Sequence, residues 1–86
     1  MARRRTELAE RTANRLRELA AEMDIETVAR ELHRIVGTCG SYGLMDGSQR
    51  AAVLLARVRE KHVDGLAVEL NTLAEIFILS AGGGES

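Results

Sequence analysis

Apolar residues return every three or four positions along this chain, and that recurrence constrains its fold more than any other feature. Leu8, Thr12, Leu16, Leu19 and Met23 make one row, with Ala9, Ala13 and Ala20 beside it. Ile25, Val28, Leu32, Ile35, Val36 and Cys39 make a second, Ala51, Leu54, Leu55 and Val58 a third, and Leu66, Leu70, Leu73 and Phe77 a fourth. This is the period of an α-helix with one buried face, not the alternation of a strand. Proline is absent, aromatic residues are 2% of the chain, and good helix formers are plentiful, so nothing interrupts the pattern. An 86-residue chain has material for one domain, and four helices cover one another's apolar faces most simply as an all-α, antiparallel four-helix bundle.

The boundaries follow from local chemistry. The first helix is expected from Thr6 to Met23, preceded by an arginine-rich arm at 1–5 whose Arg3, Arg4 and Arg5 are solvated and frayed. Asp24 is placed to cap the second helix, and the very short turn there predicts that the first two helices are antiparallel neighbours. That helix should stop near Tyr42, with Gly43 taking the left-handed conformation that closes many helices. Asp46-Gly47-Ser48-Gln49 reads as a capping box ahead of the third helix, whose Arg50, Arg57, Arg59 and Glu60 remain in water until it ends near Lys61 and His62. Asp64 is expected to cap the last helix. Ile76, Ile78 and Leu79 widen its apolar face, which is assigned to the core in preference to a second copy of the chain. The bundle is thus expected to occupy 1–81 and a flexible Gly-rich tail 82–86.

Composition removes several classes of function. A net charge of -1 argues against a dedicated nucleic-acid binder, which needs a strong basic excess. No apolar run approaches the ~20 residues of a membrane span, and no apolar segment of signal-peptide type follows the arginines. The single cysteine, Cys39, lies in the apolar row, which suits a reducing, cytoplasmic compartment. It is six residues from His33 and on a different face, so neither a metal site nor a Cys/His hydrolase is expected.

The chemistry is concentrated around His33. At about 100° per residue the imidazole falls outside the apolar row, and Gly37, four residues on, stacks beside it with no side chain. A glycine inside a helix costs about 1 kcal/mol relative to alanine, so Gly37 and Gly40 in one helix call for a reason. Clearance for an approaching protein or phosphoryl group supplies one.

The stretch His33-Arg34-Ile35-Val36-Gly37-Thr38-Cys39-Gly40-Ser41-Tyr42-Gly43 resembles the signature of the histidine-phosphotransfer (HPt) family. His33, Ile35, Gly37, the small Thr38 and Cys39, Tyr42 and Gly43 fit that signature, whereas Val36 stands where the family usually carries a basic residue. The resemblance implies a phosphoryl carrier, not an autonomous enzyme. His33 would accept and donate the group, Gly37 would give clearance, and Gly40 and Ser41 would extend the docking surface. In place of a base at Val36, Arg30 and Arg34 are candidates to reach the phosphoryl oxygens, Arg30 first because i and i+3 are helix neighbours, with Arg50 more remote.

The partners implied are a response-regulator receiver domain or a hybrid histidine kinase of bacterial two-component type. The Mg2+ is expected on the receiver, and no cofactor on this chain. With no kinase or receiver region in the given sequence, the protein is expected to act in trans, an excised module being the alternative, and as a monomer in preference to a homodimer formed through the last helix. A helical adaptor or dimerising bundle that binds a receiver or a partner helix without chemistry is the alternative, and Val36 is the residue that favours it.

Overall fold

In the computed structural model, which describes residues 2–83 and the side chains of 6–80, four helices account for nearly all of the chain. They are α1 (Ala2–Glu22), α2 (Ile25–Ser41), α3 (Met45–Arg59) and α4 (Leu66–Gly83). The all-α bundle expected from the periodicity is therefore the fold. Helix α1 already includes Arg3, Arg4 and Arg5 in its backbone, so the expected frayed arm is helical, and Gly82 and Gly83 belong to α4 instead of a tail. The rest of that tail, 84–86, lies outside the described residues.

The apolar rows meet in one core. Leu16, Leu19, Val28, Leu32, Leu70, Leu73 and Phe77 are fully buried, and removing each such side chain from water contributes on the order of 2 kcal/mol. Helix α1 packs most extensively on α4, and α2 on α3, while α1 and α2 touch least of all the packed pairs. The short turn does leave α1 and α2 in contact, as expected, but theirs is the slightest contact in the bundle. Buried Ala9 and Ala13 of α1 and Ala74 of α4 bring little bulk to their helix faces, which suits a close approach of the two backbones. A correction concerns the end of α4: Ile76 is half-buried against the core, but Ile78 is 38% and Leu79 71% exposed.

The turn from α2 to α3 is fixed by its hydrogen bonds. Gly43 adopts φ 80°, its N–H donates to the Gly40 carbonyl (3.2 Å), and the Leu44 N–H donates to the Cys39 carbonyl (3.0 Å). These are the paired bonds of a Schellman closure, with Leu44 buried against the helix it ends. Helix α3 then begins at once, at Met45. The expected capping box does not form: the N-cap is Leu44, which has no side-chain cap bond, and Asp46 lies in the first turn. Local cap chemistry loses to tertiary packing here, because burying Leu44 starts the helix early and turns Gly47 and Ser48 inward.

At the other end, Asp24 caps α2 as expected, its Oδ1 accepting from the Thr27 N–H at 3.4 Å. The α3–α4 connection turns on Lys61, held at φ 64°, and Gly65 at φ 71°. Gly65, not Asp64, occupies the cap position, its carbonyl accepting from the Glu69 N–H at 3.0 Å. Arg57 is half-buried instead of free in water: its Nη1 meets Glu69 Oε2 at 2.9 Å, and Nη2 donates to the Asp64 carbonyl at 3.3 Å. One side chain thereby ties α3 to both the connection and α4.

Candidate functional site

Helix α2 holds four buried positions, Val28, Leu32, Ile35 and Cys39, and their spacing fixes the rotation of the whole helix. With that face inward, His33 is exposed. Gly37, one turn further on, is exposed too, and a β-carbon built on it would meet nothing within 4 Å. No packing inside the molecule therefore requires a glycine there. The helix accepts a destabilising residue without any gain from its own fold, and the open space lies beside the imidazole.

His33, Arg34, Gly37, Thr38, Ser41 and Tyr42 line one shallow groove of about 470 Å³ along α2. Ser41 turns its hydroxyl onto the backbone, Oγ donating to the Gly37 carbonyl at 3.1 Å, which holds it low in the groove. Tyr42, 46% exposed, puts an aromatic ring at the helix end. Arg34 and Arg30 are both exposed, and neither forms an ion pair among the described residues, so their guanidinium donors are available. Only Arg34 lines the groove; Arg30, preferred from its i−3 spacing, does not. Arg50 sits in a different recess, with Asp46, Gln49, Val53 and Ile76.

Gly40 is half-buried where α2 faces α3: a β-carbon there would stand 3.4 Å from Ser48 Oγ, an ordinary van der Waals contact. Ser48 donates to the Val36 carbonyl at 3.0 Å, bonding α3 to the backbone of α2 behind the histidine. Val36 itself is half-buried against the core, which accounts for an apolar residue at that place.

On the other side of α2, its weak contact with α1 leaves a second recess of about 460 Å³. Buried Thr12, Ile35 and Cys39 form its floor, with Leu8 at one side and Arg11, Arg15, Glu31 and Arg34 at its rim. Arg15 reaches Glu18 Oε1 at 3.0 Å and Glu31 Oε1 at 3.7 Å, and the bond to Glu18 chiefly raises the guanidinium pKa above its ordinary value. In the floor, burial pushes the Cys39 thiol up, while Thr12 Oγ1, 3.9 Å from Sγ, acts weakly in the opposite sense. Arg34 and Thr38 line both grooves, so the two are one continuous surface. Sequence reasoning passed over Thr38 and Tyr42 as site walls, although Arg34, Thr38 and Tyr42 follow one another at steps of four.

Among the described residues no group of histidine, cysteine, aspartate and glutamate could hold a metal ion, and no helix is long and apolar enough to cross a membrane. Comparison with curated proteins and with solved structures gave no match. A family model, the Hpt domain, matches residues 5–78. The match reaches into every helix and takes in the whole ridge around His33, and the chain therefore belongs to the Hpt domain family, whose general role is histidine phosphotransfer.

Proposed function

We propose that this protein is a phosphorelay intermediate in which His33 takes a phosphoryl group from, and returns it to, the phosphoaspartate of a response-regulator receiver domain. The observation that carries the reading is the empty space over Gly37 beside an exposed imidazole. A ring nitrogen attacks phosphorus in line, the N–P bond forms as the acyl phosphate P–O bond breaks, the receiver's carboxylate leaves, and the proton on the other ring nitrogen passes to water. Arg34 is the nearer support for the phosphoryl oxygens because it shares the groove, with Arg30 on the same exposed face. Magnesium belongs to the receiver's side of the encounter. The chain supplies nucleophile and docking surface, and acts as a carrier.

Incubation with a phosphorylated receiver and magnesium is the direct test. The chain should gain an acid-labile phosphoryl group, and His33→Gln should gain none; equal labelling of that variant would remove His33 from the mechanism. Val36 favours a second reading, a helical adaptor that docks a receiver without chemistry, because no base stands at that place and the residue is committed to the core. Receiver binding without any labelling would select it.

A further inference from the structure

We propose that the recess between α1 and α2 selects the partner's charge: it receives a partner helix whose apolar ridge is flanked by carboxylates, seated beside His33. This rests on the phosphotransfer reading, since the occupant is taken to be the protein that brings or removes the phosphoryl group.

The recess exists because α1 gives its packing face to α4 and touches α2 least. Its walls are apolar at the bottom and basic at the top. Leu8 and Ile35 offer aliphatic surface, and three arginines, Arg11, Arg15 and Arg34, stand against one acid, Glu31. That local excess occurs in a chain whose net charge is -1, so it is not a reflection of bulk composition. The acid is already engaged by Arg15, whereas Arg11 and Arg34 are exposed and form no ion pair among the described residues. Two uncompensated guanidinium groups over an aliphatic floor complement carboxylates that flank an apolar ridge. They oppose a lysine-flanked ridge by like-charge repulsion.

The placement links this preference to the chemistry. Arg34 and Thr38 belong both to the recess and to the groove of His33. Leu8, Arg11, Thr38 and Tyr42 meet again at the end of α2, in a further depression that Glu7 also lines and where Tyr42 offers an aromatic surface; the acid lies there and not in the recess, where the arginines outnumber Glu31. A helix lying along α1–α2 therefore reaches the imidazole without crossing the bundle. Arg11 is on α1, outside the phosphoryl groove, so its charge acts on encounter and not on the transfer itself.

The test uses two helical peptides with the same leucine ridge, one flanked by glutamates and the other by lysines, titrated by fluorescence anisotropy against the full chain. The glutamate peptide should bind at least about tenfold more tightly at low ionic strength, and salt should narrow the difference. Arg11→Glu should abolish the preference and Arg11→Gln should halve it on a logarithmic scale, each with an unchanged helical circular dichroism spectrum. Equal binding of both peptides, or an Arg11→Glu chain that keeps the preference, would overturn the proposal. Labelling by inorganic phosphoramidate, which needs no docking, reports His33 separately. If the chain cannot be labelled but keeps the peptide preference, the phosphotransfer reading fails and the charge selection stands. If the chain is labelled but shows no preference, phosphotransfer stands and the charge selection fails.

Discussion

The ring of Phe77 in α4 occupies the space that a side chain on Gly47 in α3 would need: a β-carbon there would stand under 3.0 Å from three ring carbons. Phe77 is fully buried and has nowhere to retreat. Gly47→Ala should therefore destabilise the bundle by about 1–3 kcal/mol in urea unfolding, even though alanine is the better helix former. Combining it with Phe77→Leu should recover part of the loss relative to the sum of the two single changes, since the residues share one contact.

Gly37 predicts the reverse. Its β-carbon position is open, so Gly37→Ala should raise stability by about 1 kcal/mol, a rise of roughly 4–8 °C in Tm for a domain of this size. The same methyl stands in the approach to His33. Transfer from a receiver should slow by on the order of tenfold, as expected for about 1.4 kcal/mol of lost transition-state stabilisation, while phosphoramidate labelling stays normal. A more stable variant with undiminished transfer would show that clearance is not why glycine is there.

Lys61 is held at φ 64° in the turn that closes α3, where its N–H donates to the Val58 carbonyl at 3.0 Å and the His62 N–H to that of Arg57 at 2.8 Å. A left-handed residue with a β-carbon costs about 1–2 kcal/mol. Lys61 is exposed and makes no ion pair among the described residues, so Lys61→Gly should stabilise the fold by about 1 kcal/mol, read from the midpoint of chemical unfolding.

Cys39 makes stability depend on alkaline pH. Burial raises its thiol pKa in the folded chain, so above the unfolded thiol's value, about 8.5, the unfolded state binds fewer protons than the folded one. Stability is fully present below that pH and falls as pH rises toward the folded pKa, with a limiting slope of about 1.4 kcal/mol per unit. Cys39→Ala should be less stable at neutral pH through lost packing, yet flatter above it. Identical slopes for the two proteins would mean that the thiol ionises as readily folded as unfolded.

The buried rows of α2 and α4 and the exposure of His33 were legible in the sequence because helical periodicity fixes which face of a helix is apolar. Periodicity does not say which helix covers that face, and α1 pairs with α4 through small residues that carry little signal of their own. Asp46 and Gln49 resemble a cap because a cap is a local motif; the outcome is set by Leu44, whose burial is a tertiary event. Gly40 and Gly37 look alike in sequence, and only the position of Ser48 separates a glycine that faces α3 from one that faces open space. For Arg57, the partner Glu69 is twelve residues away, beyond the reach of any helical spacing rule.

The pairing of α1 with α4 also sets the order in which the chain can fold. During synthesis α1 emerges first, yet the surface that buries Ala9, Ala13 and Leu16 does not exist until α4 has followed α2 and α3. The nascent first helix must wait with its greasy side uncovered, and closure is a long-range step whose rate is governed by bringing distant segments together. Once made, that clasp joins the earliest and latest helices directly, so the bundle should come apart as one cooperative body instead of peeling from an end.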